Sequence, residues 1–480
     1  MLLFLELLYI ALTLFICTKI LLDTSSSVKA SAYIILVILV PVIGIIIYLS
    51  VGLNYRKNIL YSKKVIRNEQ QAALLYQKIK EYRETNTPLF HNEYPRYEGL
   101  TELLFKNDQS LLTQHNEVQL LINGEEKFPE LIRCLKAAQS HIHLEYYIYE
   151  NDTIGNQVAD ILIEKARQGV EVRFIYDDFG SSDIRKNIVP RLRENGVEAY
   201  PFYKIRFIFL ANRLNYRNHR KVVIIDGQTA FIGGINISDK YINSTDQSKF
   251  WRDTHVKITG ESVLQLQHHF IADWNFCTGK SLQINSDYFV PFNESLPGKT
   301  WVQITASGPD SKHPGILYSL LQIIHLAQKE LLITTPYFIP GQEFIRALLM
   351  AALRGVKITL LVPYNSDSRV VNAVAKSHYE ELLAGGIRIF RYKKGFIHSK
   401  TMVCDRELSV VGTANLDHRS FDLNFEVNAL VFDQQFTQKL VDAFENDLTA
   451  ADEIDYTQWK NRPYGRKVAE KFFGLISPLL

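Results

Sequence analysis

Cysteine is scarce. Cys17, Cys134, Cys277 and Cys404 are the only four in 480 residues. They are scattered and form no CxxC pair, which excludes a small disulfide scaffold and suggests neither a zinc knuckle nor a redox motif. They read as small apolar residues, in keeping with a cytoplasmic setting. Net charge is scarce as well: 54 Lys+Arg against 51 Asp+Glu leaves +3, with no broad footprint for nucleic acid. Polar low-complexity sequence is missing, since 47% of the chain is hydrophobic and 12% aromatic, so a disordered protein is excluded. The length suggests roughly two to four domains. Charge is missing most sharply at one end. Residues 1–55 carry only Glu6, Lys19, Asp23 and Lys29, against 101 charges in the remaining 425 residues.

That charge-poor end predicts a transmembrane helical hairpin. Ala30 to Leu53 is an uncharged run of 24 residues, and about 20 apolar residues suffice to cross the hydrocarbon core. Met1 to Leu22 is a second apolar run, with Glu6 and Lys19 near its ends, and Asp23 to Lys29 makes a polar turn between the two. Arg56, Lys57, Lys63, Lys64 and Arg67 follow the second run before any acidic residue. The positive-inside rule then places the rest of the chain in the cytoplasm. A cleaved signal peptide ending at Ala30-Ser-Ala32 is the competing reading, but the basic n-region it needs is absent.

Residues 56–115 are polar with helical stretches, broken at Pro88 and Pro95, and read as a connector. An alternating α/β pattern begins near Val118. Strands are expected at His141–Tyr149, Val170–Tyr176, Gly196–Tyr203, His219–Asp226 and Thr229–Ile235, with a helix over Gly155–Arg167 capped at Gly169. The order then recurs. Leu331–Ile339, Val356–Val362, Gly386–Tyr392, His398–Asp405 and Leu408–Val411 read as strands, with helices over Gln342–Leu353 and Ala375–Ala384. A repeat of this length fits a duplicated domain rather than a solenoid unit. The expected layout is hairpin 1–55, connector 56–115, first lobe 116–295, second lobe 296–450 and an interfacial tail 451–480. Two similar lobes predict a site at their junction.

The repeats agree best at one motif. His219, Lys221, Asp226, Gly233 and Asn236 align without gaps on His398, Lys400, Asp405, Gly412 and Asn415. Residues two apart on a strand share a face, so each lobe should present an imidazole together with an ammonium group. Two such pairs suit a phosphodiester, which needs a nucleophile and a leaving-group acid on opposite sides of phosphorus. Asn236 and Asn415 offer neutral donors to its oxygens. Asp226 and Asp405 fall at turns, a placement suited to holding each lobe together. A carboxylate behind each histidine would fix its tautomer, and Asp253 and Glu426, 34 and 28 residues after their own motif histidines, are the candidates.

The doubled HxKxxxxD motif resembles the phospholipase D superfamily. Further segments resemble the bacterial cardiolipin synthases: Leu144–Ile148, Tyr176–Gly180, Gly233–Asn236, Trp251–Asp253, Thr335–Pro340, Gly412–Asp417 and Ser477–Leu480, together with the N-terminal hairpin. The resemblance implies an α/β fold of two tandem phospholipase D-like α/β/α lobes. It implies catalysis by both HKD triplets, with His219 forming a phosphatidyl-histidine and His398 acting as acid and base. The implied reaction joins two phosphatidylglycerols into cardiolipin and releases glycerol, with no metal or other cofactor. Motif residues alone leave open whether water or a lipid alcohol is the acceptor, so a membrane-anchored phospholipase D remains an alternative. A nuclease is disfavoured by the near-neutral charge, and a non-catalytic scaffold by two intact motifs.

Weaker signals remain. His141, His143 and Glu145 have spacing that could hold a metal, though strand packing explains it as well. Asp177-Asp178 could line an alcohol site or cap a loop, His268-His269 reads as a solvated helix face, and His418 has no fixed role. Lys204 to Arg220 mixes basic and apolar residues, and so does Arg462 to Leu480; both could meet an anionic lipid surface.

Overall fold

The computed structural model describes residues 2–23, 27–48, 82–203, 216–243, 250–280, 282, 288–289 and 298–475. Within them the duplication extends to whole sheets. The first sheet has the order Asn116–Ile122, Thr254–Gly260, Thr229–Gly233, Lys221–Ile225, His141–Tyr146, Glu171–Tyr176, Glu198–Pro201. The second repeats it as Trp301–Ser307, Asn424–Phe432, Leu408–Gly412, Thr401–Cys404, Glu330–Thr334, Lys357–Pro363, Arg388–Tyr392. Leu112–Thr113 and Ala451–Glu453 extend its two edges. In each sheet the last three strands of this order are parallel and the others antiparallel.

Strand alternation explains how the sheets stack. Val222 and Ile224 point into a core shared with Val403, Val411 and Val427 of the other sheet. Val223 and Ile225 point the opposite way, into a core with the helices Asn123–Ala137 and Thr153–Arg167. The second sheet is covered on its outer face by Gly315–Leu326, Gln342–Leu353 and Arg369–Ala384. The body is thus helix, sheet, sheet, helix. Strand ends that meet at the lobe junction build the site.

Part of the connector packs into a core. Its residues 56–81, and residues 49–55 of the hairpin before it, lie outside the described residues. The rest forms a helix at 82–93, a second helix Glu98–Asp108 and the edge strand Leu112–Thr113. Phe90, Tyr97, Leu100 and Leu104 pack with Trp301, Ile316 and Leu320. The segment therefore precedes the first lobe in sequence but belongs to the core of the second. Its apolar residues, spaced at helical intervals, need a core to bury them.

At the N-terminus Leu2–Asp23 and Ser27–Leu39 are helices, packed together through Ile16, Ile20, Ala30, Tyr33 and Val37. The second apolar run is interrupted. Its helix stops at Leu39 and a new one, Pro41–Ile47, begins with proline, which has no N–H to continue the ladder. Leu2–Asp23 carries Glu6, Lys19 and Asp23. Among the described residues no helix is long and apolar enough to cross a membrane.

The motif aspartates sit in the hairpin turns after their strands, both at positive φ (52° and 51°). Asp226 accepts from the backbone N–H groups of Gln139, Ser140 and His141 at 2.9, 2.7 and 3.0 Å. Asp405 does the same for Gln328, Lys329 and Glu330 at 2.9, 2.7 and 2.8 Å, and pairs with Arg96 of the connector. Each carboxylate ties a hairpin turn to the start of the neighbouring strand. Asp226→Ala and Asp405→Ala should each destabilise by at least about 2 kcal/mol, because several charge-assisted bonds are lost. The loss should be greater for Asp405→Ala, which also removes one of the two carboxylates paired with Arg96. Denaturant unfolding of both variants in detergent checks the order.

Candidate active site

Each motif histidine is reached by a chain that has crossed to the other lobe. Arg217–Asn218 pairs in parallel with Asn424–Phe425, and His219 N–H donates to Phe425 O at 3.0 Å. Gly395–Ile397 pairs in parallel with Phe250–Arg252, and His398 N–H donates to Arg252 O at 2.7 Å. The strands proper begin only at Lys221 and Thr401. His and Lys therefore do not share one strand face as the spacing suggested. Each Lys Nζ instead folds back to donate to its own histidine's carbonyl, at 2.6 Å for Lys221; Lys400 does the same.

The crossing decides which carboxylate meets which ring. His219 Nδ1 bonds Glu426 at 2.9 Å, and His398 Nδ1 bonds Asp253 at 2.7 Å. The two carboxylates expected behind the histidines are there, but each serves the histidine of the opposite lobe rather than its own. Both are fully buried. Thr413 Oγ1 also donates to Glu426 at 2.6 Å, and Thr254 N–H to Asp253 at 2.8 Å. With Nδ1–H given to a carboxylate, Nε2 carries the imidazole lone pair.

Burial dominates the electrostatics. It pushes His219 down to about 4 and His398 to about 3, against the pull of their carboxylates, and the buried lysines add to the effect. Burial likewise pushes Lys221 to about 7 and Lys400 to about 8. Glu426 would be raised by burial, but His219 and Lys221 outweigh this and hold it below the usual carboxylate range. With the cleft empty, both rings are therefore neutral near pH 7. An unperturbed pair would titrate close to neutrality; burial removes that.

His219 and His398 open on one cleft of about 420 Å³. Asn236 and Asn415 line it too. Asn236 is partly committed, accepting from Ile148 N–H and donating to Tyr241 Oη at 2.6 Å. Lys221, Lys400, Asp226 and Asp405 do not line the cleft. The sequence reading missed other lining residues, among them Tyr147, Arg217, Trp251, Tyr337, Asp367 and Arg419. Most lay in or beside the segments quoted for the resemblance. Asp367 had no such signal.

The weaker candidates fall elsewhere. His141 and His143 are buried; His143 is held by Gln267 at 2.9 Å and Arg173 at 3.2 Å, while Glu145 turns to Asn218. Asp177 caps its loop by accepting from Phe179 and Gly180 N–H. Residues 204–215 of the basic segment lie outside the described residues. Its last member, Arg220, is buried against Asp273.

A sequence profile described as cardiolipin synthase, phospholipase D-like domain, matches residues 131–274 and 320–448. The chain belongs to this family. A cardiolipin synthase of Geobacillus sp. WCH70 is 42% identical over 440 residues, covering 92% of this chain and 86% of that protein. Cardiolipin synthase 2 of Bacillus anthracis is 40% identical over 458 residues, covering 94% and 87%. Among solved structures, a phosphatidylserine synthase from Haemophilus influenzae superposes with a TM-score of 0.62 at 15% identity, covering 80% of this chain and 100% of that one. That likeness shows the fold. In this cardiolipin synthase family member, both halves of the profile match fall on the two sheets that supply the histidines.

Two expectations follow. Removing His219 leaves Glu426 buried without its partner, so His219→Ala and Glu426→Gln should be non-additive in stability by at least about 0.5 kcal/mol. His219→Ala with Asp253→Asn should add more nearly independently. A double-mutant cycle on unfolding free energy reads the difference, and the reverse pattern would restore same-lobe pairing. The second concerns acid. Both rings are held below their unfolded value of ~6.5, so their contribution is complete above that pH and is lost as pH falls toward about 4 and 3. The thermal midpoint should decline between pH 6.5 and 4, and less steeply in a His219→Asn, His398→Asn variant.

Proposed function

We infer that the chain is a cardiolipin synthase, a phosphatidyltransferase that moves a phosphatidyl group from one phosphatidylglycerol to another and releases glycerol. The observation that carries the chemistry is the pair of histidines with crossed carboxylates opening on one cleft. In this reading His219 is the nucleophile and His398 the acid and base. Neutral His219, oriented by Glu426, attacks phosphorus through Nε2. His398, oriented by Asp253, gives a proton to the departing glycerol oxygen and later takes one from the acceptor hydroxyl. A bound phosphodiester brings a negative charge beside His398 and favours the imidazolium that step requires. Lys221 and Lys400 offset charge on the phosphoryl oxygens from beside the rings, and Asn236 and Asn415 offer donors. Asp226 and Asp405 support these groups through the turns. No metal or cofactor enters the scheme.

The membrane placement belongs to the same proposal. The N-terminal helices act as a two-helix hairpin in the cell membrane, with the lobes on the cytoplasmic side. Support comes from their outward apolar side chains: Leu14, Phe15, Leu22, Leu39 and Val42 are all largely exposed. The layout of connector, two lobes and tail is proposed with the boundaries given above. In the tail, the helix Tyr464–Gly474 exposes Tyr464, Val468, Phe472 and Leu475 along one side. Its polar side holds it to the body through Lys467 to Glu380 and Lys471 to Ser377 O, and Arg462 just before it also pairs with Glu380. Ser377 is six residues from Val371 of the cleft wall, roughly 9 Å along a helix. A lipid surface under that stripe would lie close to the cleft.

The experiment supplies full-length protein in phosphatidylglycerol vesicles without activated lipid or metal. Cardiolipin and glycerol are expected in equal amounts, whereas phosphatidic acid as the main product would make the chain a hydrolase. His219→Ala and His398→Ala should each reduce turnover by at least about 10³-fold. Near-normal turnover in either would end the shared-site scheme.

A further inference from the structure

The two lobes are alike, yet the two ends of the cleft are chemically opposite. Counting from the motifs pairs Arg217 with Phe396, each two residues before its histidine. It also pairs Lys240 with Arg419, each four residues after its motif asparagine. At the His219 end, Tyr147 sits edge-on to the ring at 4.8 Å, and Arg217 and Arg419 line the cleft with it. Arg217 lies 4.0 Å from Asp177, and Arg419 has no ion pair among the described residues. The matching Lys240, at the other end, is tied to Glu150 at 3.4 Å and lies against the Trp251 ring.

The His398 end is walled by aromatic rings and oxygen acceptors. Trp251 and Phe396 lie 5.6 and 5.9 Å from the His398 ring. Tyr337 stands beside Phe396, and its hydroxyl donates to Asp367 at 2.6 Å. Asp417 pairs across adjacent strands with Ile339, two residues after Tyr337, and Asp367 accepts from Tyr337, so both carboxylates stand beside that ring. Asp417 is only 6% exposed, yet it lines the cleft. Two residues before it, Asn415 is 5% exposed and also lines the cleft, and its buried Oδ1 has no hydrogen-bond partner among the described residues. Carboxylates repel a phosphate. They suit a group rich in O–H donors, and a vicinal diol offers two of these on adjacent carbons.

We propose that Tyr337, Asp367 and Asp417 form the alcohol subsite, which holds the hydroxyls of the departing glycerol and then of the incoming phosphatidylglycerol headgroup. This rests on the transfer reading above and gives it a direction. The phosphoryl oxygens lie toward Arg217 and Arg419, and the alcohol toward His398. In the first step the His219 Nε2–P bond forms, the P–O bond to glycerol breaks, and the His398 proton passes to the glycerol oxygen. In the second the acceptor oxygen bonds to phosphorus, its proton returns to His398, and the N–P bond breaks. The assignment of His219 as nucleophile, which the motifs alone leave symmetric, follows from this polarity.

The test is a partition experiment with the full chain in phosphatidylglycerol vesicles containing a fixed concentration of ethanol. Both acceptors compete for one phosphatidyl-enzyme, so the ratio of cardiolipin to phosphatidylethanol reports acceptor binding alone, whatever the rate of the first step. Ethanol has no second hydroxyl and bypasses the subsite. Tyr337→Phe and Asp367→Asn should each lower the ratio at least about tenfold, one factor of ten being worth about 1.4 kcal/mol. Arg217→Gln should slow total phosphatidyl transfer and leave the ratio unchanged. An unchanged ratio in active Tyr337→Phe and Asp367→Asn proteins would overturn the subsite while leaving the transfer reading intact. A wild-type protein that makes neither product would overturn both.

Discussion

The exchange of partners between lobes is the constraint on which the site depends. Glu426 sits on a strand of the second sheet and orients His219; Asp253 immediately precedes a strand of the first and orients His398. Neither lobe holds a complete histidine–carboxylate pair. A carboxylate left buried without its imidazole is strongly destabilising, so each pair ties the two lobes together along with the apolar contact. Other bonds reinforce the exchange. Arg252 of the first lobe bonds Asp447 of the second at 2.8 Å, and Thr254 bonds Ser399 at 2.9 Å. The shared core of valines and isoleucines between the sheets fixes the distance over which these bonds act. Packing and chemistry thus have one geometry to satisfy.

The same burial sets the charge balance. Two carboxylates face two lysines whose own protons are loosened, while both rings stay neutral. Such a set is close to neutral overall before substrate arrives. One phosphodiester adds one negative charge, and uptake of one proton by a ring restores the balance. In the proposed scheme, the acid for the leaving group would then arise when the substrate binds. Histidine suits this because burial has moved it far from its usual range, yet the change remains reversible by one nearby charge.

Much of this was legible in sequence, for physical reasons that can be named. Strand and helix periods follow from side-chain alternation, so the repeated α/β order was readable, and Gln342–Leu353 was placed residue for residue. The motif residues were readable because two copies in register are hard to obtain by chance. The crossing was not. Asp253 and Glu426 could be named as carboxylates on returning strands, but their partners depend on how one sheet faces the other, and periodicity is silent on that. Which core the connector's entry segment joins was not legible for a related reason. Its apolar stripe announces a helix but not which core receives it, and the whole first lobe intervenes in sequence before the core it joins. Asp367 lies in a polar stretch before a helix and enters the site only through the fold.

Duplication explains the site's symmetry, and small departures from it explain why the two halves can act differently. At matched positions Gly234 faces Asp253 and Thr413 faces Glu426. A Cβ at Gly234 would lie 2.1 Å from Asp253 Oδ1, so no larger residue fits without moving that carboxylate. The second lobe uses the longer Glu and fills the corresponding space with a threonine that donates to it. Glu426 is therefore held by Thr413 as well as by His219, whereas Asp253 takes its extra bond from the backbone of Thr254. Both arrangements fix a ring, but with different donors, so the rings need not share one basicity. An ancestral pair of identical half-sites would have had no reason to prefer one histidine. Once carboxylate length, its supporting donor and the wall of the cleft diverged, attack and proton transfer could settle on opposite sides without any change in the motif itself.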